Sequence, residues 1–83
     1  MIRMVRVVTR GQFSIYVYVE VGQPHNLAHC HVRWADHSTQ VALPTLRILV
    51  GSPLPPAARE LLWDSVGQII EEWNRLNPER VVT

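Results

Sequence analysis

Two stretches of the chain alternate strictly between aliphatic or aromatic and polar positions. From Phe13 to Val21 the odd-numbered residues are apolar, and between them lie Ser, two Tyr and Glu. After a break at residues 22–24, the stretch from Ala28 to Trp34 alternates in the same way, with two His and one Arg on its polar side. A period of two sends successive side chains to opposite faces, so these stretches predict two half-buried strands.

Three further strands are predicted around this pair. Thr39 to Leu43 alternates after a short polar turn at residues 35–38, while Met1 to Val8 and Leu46 to Val50 show less regular facing. Tight connections favour antiparallel neighbours. We therefore expect an antiparallel meander sheet of four to five strands.

The C-terminal part of the chain has the spacing of a helix. Proline is tolerated at the first helical position but not inside a helix, so the helix is expected to begin near Pro56 and to end before Asn77. Within these limits apolar residues recur at spacings of three and four: Ala58, Leu62, Val66, Ile69, Trp73 and Leu76. One such stripe covers one face of a sheet, which predicts an α+β fold with one long C-terminal helix.

Gly67 lies in the middle of this helix. A glycine there costs roughly 1 kcal/mol relative to alanine. We expect that the helix backbone packs closely against the sheet at this point, or that the helix breaks into two.

The length and the charge of the chain limit the number of domains and the class of partner. A chain of 83 residues forms a single domain, residues 1–83, with a small core, for which homodimer formation is an expected source of stability. The eight positive residues are all Arg, and they are scattered instead of forming the basic stripe that tracks phosphates. Nucleic acid is therefore an open alternative and not the leading partner.

The composition also indicates a cellular setting. One cysteine, Cys30, cannot form an internal disulfide or a multi-cysteine zinc site, and it falls on the apolar side of its strand as a small buried hydrophobe. No stretch is long and apolar enough to cross a bilayer. The expectation is a cytoplasmic protein with no membrane partner.

The two central strands gather their polar side chains on one face. If Val21 pairs with Ala28, antiparallel geometry puts side by side the pairs Glu20 and His29, Tyr18 and His31, and Tyr16 and Arg33. A turn flanked by residues 35 and 38 then places Gln40 beside Arg33. A shift of the register by two residues would keep the same faces.

This face is predicted to bind a partner, because the helix can cover only the other face of the sheet. Tyr and Arg are the residues that anchor protein interfaces. The predicted contact residues are Tyr16, Tyr18, His31, Arg33 and Gln40. The alternative is that these cross-strand pairs only stabilise a half-solvated sheet.

Two chemical alternatives use the same face. His25, His29 and His31 are candidate ligands for a divalent transition metal, although two or three histidines without a fourth ligand are more often surface residues, so no cofactor is expected. A His-dependent ribonuclease or metal-assisted hydrolase would use one His as general base, another as general acid and an Arg for the phosphate. Its candidate catalytic residues are Glu20, His29, His31 and Arg33.

Several of these segments together resemble a small bacterial family known as domain of unknown function 4160. They are the aromatic strand from Phe13 to Glu20, Pro24-His25 followed by His29 to Val32, the segment from Val50 to Pro55, and the Trp-containing helix from Trp63 to Asn74. The similarity extends from Phe13 to Asn77. The chain departs from the family pattern at residues 26–28, which separate Pro24-His25 from His29. The family has a compact Pro-Pro-His-x-His-Val element at this place.

The resemblance implies a bacterial cytoplasmic setting and the fold outlined above. Members of the family are often encoded beside another small protein, in a two-gene unit similar to toxin–antitoxin pairs. The partner implied by the resemblance is thus a small protein from the adjacent gene.

Overall fold

The computed structural model describes residues 4–19 and 27–82. Its strands follow one another across a single antiparallel sheet in chain order, and one helix follows them. The elements are β1 (Met4–Arg10), β2 (Phe13–Tyr18), β3 (His29–Trp34), β4 (His37–Ala42), β5 (Ile48–Gly51) and α1 (Pro56–Leu76). The predicted α+β meander with a single C-terminal helix is confirmed.

The helix bounds agree with the proline positions. Pro55 is extended and precedes the first helical turn, and the backbone N–H of Asn77 closes the last turn on the Trp73 carbonyl. The described part of the chain contains no helix with the length and apolar character needed to cross a bilayer.

The core lies between α1 and one face of the sheet. The inward residues of β2 and β3 are buried, and so are most residues of the predicted helical stripe. Val66 is only partly buried, whereas Leu61 and Ser65 are buried although they lie outside that stripe. The buried surface is wider than one stripe because α1 lies across three strands, β1, β2 and β3.

The strand registers differ from the predicted ones by two residues. Tyr16 lies opposite His31 between β2 and β3, and Gln40 lies opposite His31 between β3 and β4. The predicted pairs of Tyr18 with His31, of Tyr16 with Arg33 and of Arg33 with Gln40 were therefore wrong. The cause at the second hairpin is a two-residue turn, in which Ala35 adopts a φ of 47°. A shift of two residues leaves every side chain on its predicted face.

Some predicted contacts lie outside the described residues. These are the pairing of Glu20 with His29, that of Val21 with Ala28, and any contact of His25. The first residues of the predicted N-terminal strand, 1–3, also lie outside them.

Gly67 neither breaks the helix nor packs closely. The helix runs continuously from Pro56 to Leu76, and Gly67 lies on its exposed side. Apart from the adjacent helix backbone, an added Cβ there would meet no atom within 4 Å. Both expectations for this residue were wrong. The backbone entropy of this glycine is a cost that no contact of its own offsets.

Replacing Gly67 should therefore stabilise the protein. We expect Gly67→Ala to raise the free energy of unfolding by about 0.5–1 kcal/mol, measured by urea denaturation with circular dichroism. Gly51→Ala is the contrasting variant, because Gly51 has a φ of +112° and an added Cβ would collide with the Ser38 carbonyl. It should lower stability by at least about 1–3 kcal/mol. A Gly67→Ala variant that is less stable than the wild type would show that α1 is under a constraint not visible in its contacts.

Candidate binding surface

The sheet face opposite α1 carries the predicted contact residues. Tyr16 and Tyr18 alternate with the fully buried residues Ile15 and Val17 along β2, and His31 and Arg33 alternate with buried residues along β3. We call this surface the open face and define it by Tyr16, Tyr18, His31, Arg33 and Gln40. The strict alternation in the sequence therefore identified its members.

Arg33 connects the two tyrosines of the open face. Its Nη2 donates a hydrogen bond of 3.2 Å to the Tyr18 hydroxyl oxygen. Its Cζ also lies 5.6 Å from the centroid of the Tyr16 ring, within cation–π range. Arg33 thus holds both tyrosine side chains in one arrangement.

His31 packs against the other side of this cluster. Its ring centroid lies 4.4 Å from that of Tyr18, with the planes tilted by 59°. Arg6 of β1 lies opposite Tyr16, which brings a second guanidinium to the face. The sequence did not show the facing of Arg6, because the β1–β2 register shifts between Arg6 and Val8.

His29 is less accessible than predicted. It is buried, with its ring centroid 5.0 Å from that of His31 and 5.7 Å from that of Trp73 in α1. Its Nδ1 donates a hydrogen bond to the Leu27 carbonyl oxygen at 2.7 Å, which places a proton on Nδ1 because a carbonyl only accepts. The aromatic contact with Trp73 joins two elements that are far apart in the sequence, which is why periodicity could not reveal it.

His31 has an unusual electrostatic environment. Burial, followed by the charges of His29 and Arg33, lowers the pKa of His31 from 6.5 to about 4. Its Nε2 is buried and has no hydrogen-bond partner among the described residues. His31 is thus a neutral, aromatic member of the face at neutral pH.

The described residues do not complete the predicted metal site. Residues 4–19 and 27–82 contain no group of three His, Cys, Asp or Glu side chains that could hold a metal ion, and both His25 and Glu20 lie outside these ranges. Cys30 is buried as predicted, and burial raises the pKa of its thiol to about 12. It is inert as a ligand or nucleophile at neutral pH.

The end of α1 is joined to the strands of the open face. The Asn77 side-chain amide donates to the Tyr18 carbonyl oxygen at 3.1 Å and to the Trp73 carbonyl oxygen at 3.2 Å. Trp73 Nε1 donates to the Arg80 carbonyl oxygen at 2.8 Å. Sequence analysis missed Asn77, whose only signal is an amide side chain directly after the last helical turn and before a proline.

Comparison with known proteins shows the family of the chain. A family model described as a domain of unknown function (DUF4160) matches residues 13–80, a range that includes β2, β3, β4, β5 and α1. Neither the curated proteins nor the solved structures give a significant match.

The environment of His31 makes stability depend on pH. The unfolded chain takes up a proton on this imidazole near pH 6.5, whereas the folded protein resists it until about pH 4. The contribution of His31 is therefore complete above pH 6.5 and is lost as the pH falls towards 4. The loss should be on the order of 1–2 kcal/mol, since partial exposure screens the full shift.

His31→Phe retains a ring and removes the titration, so it isolates this effect. Urea denaturation from pH 7 to pH 4 should show the wild type losing more stability than His31→Phe. NMR titration of the His31 ring should give a midpoint near 4. A midpoint near 6.5 would contradict the burial of this imidazole.

Proposed function

Because the chain belongs to the DUF4160 family, whose model covers both central strands of the open face, we propose that it is a non-catalytic protein-interaction module. The open face binds a second small protein, the product of an adjacent gene. The two form a regulatory pair of the toxin–antitoxin kind.

The observation that carries this proposal is the ordering of two tyrosines by one arginine. Arg33 reaches the Tyr18 hydroxyl with its Nη2 and lies over the Tyr16 ring with its Cζ. Tyr and Arg dominate the binding energy of protein interfaces. Side chains already held in one arrangement lose less conformational entropy on binding.

The charges of the open face support a partner with an acidic surface. Arg6 and Arg33 lie on this face, opposite Tyr16 and Ser14 of β2. Outside residues 20–26, the acidic side chains lie in the β3–β4 turn, in α1 and after it: Asp36, Glu60, Asp64, Glu71, Glu72 and Glu79. The segment from α1 onward holds five of these acidic residues and three Arg, so its net charge is negative. Arg6 and Arg33 on the open face therefore favour an acidic partner on the sheet side of the molecule.

The histidines support binding more than catalysis. A general acid or base works best with a pKa near the operating pH, whereas the pKa of His31 is about 4. His29 is buried against Trp73. The two histidine rings lie between Tyr18 and the end of α1, where they support the contact surface by packing.

Removing the tyrosine–arginine contact should weaken partner binding. The wild-type protein and the product of the adjacent gene are purified separately, and their dissociation constant is measured by isothermal titration calorimetry. The double variant Tyr18→Ala/Arg33→Ala should bind at least about tenfold more weakly. Circular dichroism melting should show that it remains folded, because Arg33 is exposed and Tyr18 only partly buried.

Arg75→Ala is the matched control. It removes a guanidinium that pairs with Glu72 on α1, away from the open face, so the affinity should not change. Unchanged affinity of the Tyr18→Ala/Arg33→Ala variant would contradict the proposal. So would cleavage of labelled RNA by the wild type, with or without a chelator, if His31→Ala abolished it, since that result identifies a ribonuclease.

A further inference from the structure

The two outer strands of the sheet differ in how they are protected. β1 and β5 form the edges, where one row of backbone N–H and C=O groups points away from the sheet. Both strands have an irregular register with their neighbour. β1 additionally carries Arg6 and Arg10, and charged side chains are a common means of preventing edge pairing.

β5 is protected only by its length of four residues and by its irregular register. Its sequence is Ile-Leu-Val-Gly, without charge or proline. Ile48, Leu49 and Val50 are 47%, 40% and 58% exposed. An uncharged, exposed aliphatic edge is a template for pairing with another strand.

A large exposed aromatic lies beside this edge. Trp63 of α1 is 64% exposed, and together with Ile48 it lines a groove of about 100 Å³. Leu46, Leu54 and Leu62 line the same groove. The apolar surface of β5 therefore continues over the edge of the sheet onto the helix side.

We propose that β5 pairs antiparallel with β5 of a second copy of this chain, giving a two-fold dimer with a continuous sheet. In such a two-fold pair the same surface of each copy forms the contact, so residues near the axis lie close to the same residues of the second copy. The four residues of β5 bring no like charges together, with Arg47 before the strand and Arg59 in the groove as the flanking cations. β1 would bring Arg6 and Arg10 within the strand towards their own copies.

A second copy fits this surface better than a single strand of another protein. A lone strand would pair with the backbone of β5 and leave Trp63 at the rim of the groove. The two-fold axis of an antiparallel strand pair is perpendicular to the sheet, so a second copy brings its own Ile48 and Trp63 to the same side. One association event then covers the edge and the groove of both copies.

The same geometry limits the assembly to two chains. Each copy contributes its one uncharged edge to the contact, and the dimer then exposes only the Arg-bearing edges of β1. Both helices lie on one side of the continued sheet and both open faces on the other. The dimer is independent of the proposed function, which uses a different surface.

The test compares one substitution at the two edges. Sedimentation velocity over a range of micromolar to millimolar concentrations should show a monomer–dimer equilibrium for the wild type. Leu49→Lys should be monomeric throughout, because it places a lysine within the pairing strand of each copy. Met4→Lys makes the same change in charge at an exposed residue of β1 and should dimerise like the wild type.

Two further measurements locate the contact. Trp63→Ala should weaken dimerisation by about tenfold or more, as truncating a central aromatic anchor does. Amide hydrogen exchange of Leu49 and Val50 should become slower at high protein concentration in the wild type and not in Leu49→Lys. Circular dichroism melting confirms that each variant is folded.

Three results would overturn the proposal. The first is a wild type that is monomeric at every concentration, which would leave the edge to a strand of a different protein. The second is a dimer lost in Met4→Lys and kept in Leu49→Lys. The third is open-ended growth beyond two chains, which would indicate head-to-tail pairing of β1 with β5.

Discussion

The contact between the end of α1 and the strands of the open face determines the arrangement of the site. Trp73 is fully buried and its ring meets that of His29, while Asn77 donates a hydrogen bond to the backbone of Tyr18. Tyr18 and His31 in turn pack ring against ring. The helix thus holds the end of β2 and the start of β3 by a ring contact and a hydrogen bond, and these contacts position Tyr18 and His31 of the open face.

The chemistry of the open face follows from this arrangement. Packing on His29, Tyr18 and the neighbouring strand removes water from the His31 ring and makes its charged form unfavourable. The permanent positive charge at the centre of the cluster is therefore that of Arg33, which keeps its guanidinium in solvent while it contacts both tyrosines. One fixed charge among aromatic rings suits recognition, whereas proton transfer needs groups that change charge near neutral pH.

Particular residues show how much of this could be predicted from the sequence. The alternation of Phe13 to Tyr18 and of Cys30 to Trp34 placed each side chain on its face, and the prolines predicted both helix ends. The register could not be predicted, because the tight turn uses Ala35 in a left-handed conformation where glycine or asparagine would be the recognisable signal. The burial of His29 depends on Trp73, a partner that no local pattern indicates. Gly67 lies in the middle of the helix as predicted, but its surroundings are a property of the tertiary structure.

Cys30 lies in the middle strand of the sheet, between His29 and His31, and its side chain is buried in the core. Its thiol is shielded from solvent and stays protonated at neutral pH. A thiol-specific reagent can reach it only when β3 separates from α1. The single thiol of the chain therefore reports on opening of the core, and the rate of its alkylation measures how often β3 separates from α1.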